Sequence, residues 1–201
     1  DVVSYLAERG ASASDADENG MTALMFAAQN ADEGVWQYVL AKGANAKAKD
    51  EGNRTVLHYL CMNSADYAAK AATALVKLGL DANAVDFEGR TPLFGAVSYG
   101  NVALAEALLK AGAKANVADE YGYTPLMYAC MYSEDSAMVK LLLRSGAPVN
   151  AADDSGYTAL MYAAVGYNAE ELAPLLVKEG ASLKARGTNG KTVLHLAAGN
   201  G

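Results

Sequence analysis

Short apolar runs recur along the chain in pairs, each pair separated from the next by a polar, glycine-bearing stretch. Aligned on a threonine, the first run of each pair reads DENGMTALMFAA, DEGNRTVLHYLC, DFEGRTPLFGAV, DEYGYTPLMYAC, DDSGYTALMYAA and GTNGKTVLHLAA. The anchors Thr22, Thr55, Thr91, Thr124, Thr158 and Thr192 lie 33, 36, 33, 34 and 34 residues apart. A second run follows and closes on a glycine: AKGANAKAK, VKLGLDANA, LKAGAKANV, LRSGAPVNA and VKEGASLKA. Apolar runs of this length predict two short helices per copy, joined by a short loop and followed by a tight Asp-x-x-Gly turn.

The punctuation has mechanical meaning. Threonine ahead of an apolar run predicts an N-cap whose hydroxyl accepts an orphan backbone N–H. Pro92 and Pro125 follow it at the helical position where a missing N–H costs least. Leucine and alanines then line one helix face, small enough for a neighbouring helix to come close. Gly43, Gly79, Gly112, Gly146 and Gly180 end the second helices, where a left-handed residue is needed. In the second copy the turn glycine slips to Gly52, and Asn53 is expected to adopt positive φ in its place. Pro174, inside NAEELAPLLVKEG, predicts a late start or a kink in that helix.

One helix pair cannot bury its own apolar face, but a stack of pairs can. The 33-residue spacing, the T-x-L core and the G-A-x-x-N tail resemble the ankyrin repeat over essentially the whole chain. The resemblance implies an all-α solenoid of helix-turn-helix units with projecting turn loops. It predicts one domain over residues 1–201, with a partial repeat at 1–16, repeats starting near 17, 50, 86, 119 and 153, and a partial repeat at 187–201. Beginning in a second helix and stopping after a first one, the sequence reads as part of something longer. The family's histidine after T-P-L stands only at His58 and His195, where the resemblance implies a hydrogen bond to the next repeat. Met25, Phe94, Met127 and Met161 replace it elsewhere, which predicts apolar packing there. Three extra residues in the second copy, within CMNSADYAAKAAT, predict a longer loop or an added helical turn between its two helices.

Charge and chemistry narrow the function. The formal charge is −7, with no local cluster of Lys and Arg, which disfavours nucleic acid as a partner. No apolar run reaches membrane-spanning length. Gly190-Lys191-Thr192 ends like a phosphate-binding loop, but Ala185 stands where such a loop needs glycine, and the same turn recurs elsewhere as GMT, GRT and GYT. At about 10 Å per packed helix, His58 and His195 would lie about 40 Å apart and Cys61 and Cys130 about 20 Å. Neither pair can share a metal or a disulfide, so two free, buried thiols are expected. No nucleophile–base pair, paired carboxylates or metal set converges, so neither catalysis nor a cofactor is expected.

In ankyrin repeats the turn tips and first helices form a concave groove that grips other proteins. Carried onto this chain, the resemblance places partner-binding residues at Phe87, Glu88, Arg90, Tyr99, Glu120, Tyr121, Tyr123, Met131, Tyr132, Asp154 and Tyr157. Exposed tyrosine offers large contact area at low entropic cost; the alternative is that these rings pack on one another and stabilise the turns. Tyr128 and Tyr162, deeper in their helices, read as packing between repeats. Glu18, Glu51, Glu88, Glu120 and Asp154 form an acidic column, read chiefly as solvated surface. The aspartates that open each copy (Asp17, Asp50, Asp86, Asp119, Asp153) are expected to cap their turns. The expected function is a monomeric scaffold for another protein; the alternative is a regulatory or targeting arm of a larger enzyme.

Overall fold

Threonine-anchored helices begin where the pattern places them. The computed structural model describes residues 2–30, 33–63, 67–134 and 136–200. The chain forms two compact units, Asp1–Ala113 and Lys114–Gly201. The first holds α1 (Val2–Glu8), α2 (Ala23–Asn30), α3 (Glu33–Ala41), α4 (Val56–Leu60), α5 (Tyr67–Lys77), α6 (Pro92–Ser98) and α7 (Val102–Lys110). The second holds α8 (Pro125–Tyr132), α9 (Ala137–Arg144), α10 (Ala159–Ala163), α11 (Ala169–Lys178) and α12 (Val193–Asn200). Isolated antiparallel bridges, Ala16 to Thr22 and Ala152 to Thr158, are the β-pairing among the described residues.

Inside each unit the helix pairs stack. In the first, α2 packs on α4 and α4 on α6, while the outer helices α5 and α7 pack together. In the second, α10 packs between α8 and α12, with α9 and α11 behind. The leucine two places after the threonine carries the core in five copies, with Leu24, Leu57, Leu93, Leu126 and Leu160 all buried, whereas Leu194 after Thr192 is 74% exposed. Each buried leucine contributes roughly 2–3 kcal/mol by leaving water. Small partners set the spacing. A Cβ added to Gly95 of α6 would meet the Cys61 sulfur at 2.8 Å, so glycine lets the two helices approach.

The capping expectation is only partly met. Thr124 Oγ1 accepts from Met127 N–H at 3.3 Å, and Thr22 Oγ1 from Met25 N–H at 3.4 Å. The buried hydroxyls of Thr91 and Thr158, by contrast, have no hydrogen-bond partner. At Thr91 the Phe94 N–H bonds the Thr91 carbonyl at 2.9 Å, so the first turn is closed by main chain alone. Pro174 does not delay its helix. α11 starts at Ala169 and runs through the proline. The carbonyl left without a donor belongs to exposed Glu170, where water can serve it. In the three-residue insertion, Ser64, Ala65 and Asp66 lie outside the described residues, and from Tyr67 the segment is the eleven-residue α5.

One turn is used throughout. Asp17, Asp86, Asp119 and Asp153 each accept the N–H groups two and four residues on through Oδ1, at 2.8–3.0 Å. Asp50 holds the Arg54 N–H the same way at 2.7 Å. The tips are also tied to one another by main chain: Glu51 N–H to Asn19 O (2.9 Å), Phe87 N–H to Gly52 O (3.0 Å), Asp154 N–H to Tyr121 O (3.1 Å) and Thr188 N–H to Ser155 O (2.8 Å). Gly122, at φ +79, lies so close to the next tip that a Cβ there would sit 3.0 Å from Asp153 Cα. Asn53, as expected, takes φ 61. Its side chain accepts from Lys49 at 2.9 Å and donates to Val85 O at 2.5 Å.

Candidate functional site

In the first unit, arginine holds the turn carboxylates of Asp50 and Asp86. Arg54 Nε donates to Asp50 Oδ2 at 2.8 Å, and its guanidinium lies 5.2 Å from the Tyr59 ring centre. The Tyr59 hydroxyl donates to the same carboxylate oxygen. Burial works against ionisation of Asp50, but bonds from Tyr59 and from the Arg54 backbone and guanidinium outweigh it and hold the carboxyl below its ordinary value. Burial and Asp50 in turn push the Tyr59 hydroxyl up to about 12. Arg90 repeats the clamp with two acids, meeting Asp86 at 3.3 Å and Glu88 at 2.7 Å.

His58 behaves as the resemblance implied. Its Nδ1 accepts the Thr55 backbone N–H at 3.0 Å, which leaves Nε2–H to donate to the Arg90 carbonyl of the next repeat at 3.2 Å. Burial lowers its pKa, against the opposing pull of the Arg90 carbonyl and Asp86. Beside it, Arg54, Met62, Arg90 and Tyr99 help line a cavity of about 210 Å³. Phe87 and Tyr99 are 74% and 60% exposed, so the four expected site residues of this unit comprise two open rings and one ion pair, Glu88–Arg90.

The second unit holds its turns with tyrosine. Tyr123 and Tyr157 occupy the places that Arg54 and Arg90 fill in theirs. Tyr123 packs edge-on to Tyr128 at 5.7 Å and tilted against Tyr162 of the next repeat at 5.6 Å. Tyr128 continues to Tyr132 at 5.8 Å, and Tyr157 meets Tyr162 edge-on at 5.9 Å. Five rings thus form one ladder across α8 and α10. The Tyr162 hydroxyl donates to Asp153 Oδ2 as Tyr59 does to Asp50, and burial with that bond drives its pKa far upward. Asn189 Nδ2 donates to the Tyr157 hydroxyl at 2.8 Å.

Exposure sorts the expected residues of this unit. Tyr121 and Tyr132 are 57% and 54% exposed, whereas Tyr123, Tyr157 and Met131 are half-buried. Glu120 and Asp154 are exposed, and neither has an ion pair among the described residues. Lys191 stands at the arginine position of the last repeat, but Gly187 replaces the aspartate it would meet. The sequence reading passed over Tyr167, the most exposed ring here at 79%; its only signal was a tyrosine just past the first helix. Met127 does more than fill space, since its Sδ faces the Thr124 N–H at 3.4 Å, where His58 offers Nδ1.

Both cysteines are free and buried, and burial pushes each thiol up to about 12. Among the described residues no group of three or more His, Cys, Asp or Glu is placed to hold a metal ion. No helix there is long and apolar enough to cross a membrane.

No curated protein matches the chain. A family model described as ankyrin repeats (3 copies) matches in overlapping windows, residues 1–86, 32–119, 62–153, 113–186 and 132–201. With repeat length, helix pairs, turn chemistry and these windows in agreement over its whole length, the chain belongs to the ankyrin repeat family.

Proposed function

We propose that this chain is a non-catalytic binding module that holds a partner protein on the face of each unit formed by its turn tips and first helices. Ankyrin repeats are generally protein–protein interaction modules. The observation that carries the reading is the set of four exposed rings, Phe87, Tyr99, Tyr121 and Tyr132, on tips and helix ends fixed by the turn hydrogen bonds. Rings held this way lose little entropy on contact and are the usual anchors of binding energy. Tyr123 and Tyr157 support the surface from beneath, and Glu88, Arg90, Glu120, Met131 and Asp154 complete it.

The test is cross-linked capture from native extract with three baits: the parent, Tyr121→Ala with Tyr132→Ala, and Phe87→Ala with Tyr99→Ala. All four substituted side chains are more than half exposed, so each bait should stay folded, with melting as the check. One protein taken by the parent and lost with either folded variant supports the reading and assigns the unit. A protein taken equally by all three places binding elsewhere on the chain and overturns it.

A further inference from the structure

The repeats beginning at Asp50 and Asp153 share a carboxylate and a tyrosine in the same relation. Tyr59 donates to Asp50 and Tyr162 to Asp153, in each case to Oδ2. In the first unit this pair is completed internally by a guanidinium, Arg54, set over the tyrosine ring and bonded to the carboxylate. In the second unit the same position is Tyr157, and in the preceding repeat it is Tyr123. The surface there has gained rings and lost its cation. Two further carboxylates, Glu120 and Asp154, flank those rings without ion pairs among the described residues. They belong to one patch, because the Asp154 N–H is bonded to the Tyr121 carbonyl.

We infer that the partner of the second unit presents arginine, a cation for tips that, unlike those at Asp50 and Asp86, carry rings and acids but no arginine of their own. This rests on the binding-module reading and names the partner's chemistry. The occupant is a protein segment bearing one or more arginines, with guanidinium planes against the exposed parts of Tyr121 and Tyr132 and charge met by Glu120 and Asp154. Arginine fits better than lysine because its plane stacks on a ring while its edge still reaches a carboxylate in a two-bonded fork. The formal charge of −7 favours the approach of such a segment.

A displayed peptide library selected against the whole chain tests this. Three baits are compared: the parent, Tyr123→Arg with Tyr157→Arg, and Glu120→Gln with Asp154→Asn. The first variant installs the internal cations of the other unit, and the second removes exposed charge with little change of shape, so at least one will stay folded. The expected result is arginine enrichment with the parent bait that disappears with both variants. Replacing arginine by citrulline in a selected peptide should then weaken binding about tenfold, the loss of one stacked, paired cation. Selected peptides without arginine enrichment, still lost with Tyr121→Ala and Tyr132→Ala, would overturn this inference and leave the binding-module reading standing. No selection above background by the parent would overturn both.

Discussion

The turn at Asp50 and the turn at Asp153 have the same backbone hydrogen bonds and opposite surroundings. At the first, an arginine four residues on neutralises the carboxylate and lies over a tyrosine. At the second, that position is a tyrosine, which adds a ring to a ladder and leaves the local charge negative. One main-chain design therefore tolerates two side-chain solutions, because in both turns the N–H four residues on holds Oδ1 and a tyrosine hydroxyl holds Oδ2, whatever side chain stands beside them. What changes is the surface: the Asp50 and Asp86 tips carry a guanidinium paired to the turn carboxylate, and the Asp119 and Asp153 tips carry rings in its place.

Removing the carboxylate probes the comparison most severely. Asp50→Ala should cost about 2–4 kcal/mol and Asp153→Ala about 2–3 kcal/mol in urea unfolding, since each strands buried donors and only the first also leaves a cation unmatched. Equal costs would mean that the guanidinium adds nothing to the turn. Next in size is the tip glycine. Gly122→Ala must cope with both positive φ and a crowded backbone, and should cost about 2 kcal/mol. Asn53→Ala, in the same φ region but with a Cβ already in place, loses its bonds to Lys49 and Val85 and should cost about 1 kcal/mol.

The clamps themselves differ less in size than in kind. Tyr157→Ala removes ring contacts and should cost about 1–2 kcal/mol at any salt concentration. Arg54→Ala should cost about 0.5–1 kcal/mol in dilute buffer and less in concentrated salt, because the guanidinium is partly open to water. Thermal melts at two ionic strengths separate the two, and a salt-sensitive Tyr157→Ala would contradict the assignment.

The smallest expected effect is that of pH. His58 in the folded chain titrates below its ordinary 6.5 because it is buried. The unfolded chain takes up a proton near 6.5 while the folded one resists, so its contribution is complete above that pH and declines as pH falls through it. Asp50 adds a second loss as pH falls below its ordinary 3.8. The second unit has Met127 and Met161 in place of His58. Amide exchange corrected for intrinsic rates should therefore quicken in α4 from about pH 7 to 5 and stay level in α8. Equal behaviour in both helices would remove His58 as the cause.

Period and punctuation were readable from the residues because they answer to local rules. A missing glycine pointed to Asn53, and the aspartates pointed to their own turns, since both depend on a few neighbouring bonds. The hydroxyls of Thr91 and Thr158 escaped that logic, and the same residue type caps at Thr22 and Thr124, so residue type alone does not decide whether the cap forms. Tyr121 and Tyr123 sit two places apart in one tip, yet only the first is more than half exposed. Which of them leans on the next repeat depends on where Tyr162 lies, some forty residues onward. Likewise nothing local announces that Met127 offers its sulfur where His58 offers a nitrogen.

The bonds that link one tip to the next run from main chain to main chain: Glu51 to Asn19, Phe87 to Gly52, Asp154 to Tyr121 and Thr188 to Ser155. None of them consults the side chain at the tip. Evolution can therefore rewrite those positions with little penalty to folding, and the varied residues found there in successive repeats are what such latitude would leave behind. A lineage could change its partner by drift at the tips while its leucines and aspartates stayed fixed, and a library randomised at the tips should retain a high share of folded members.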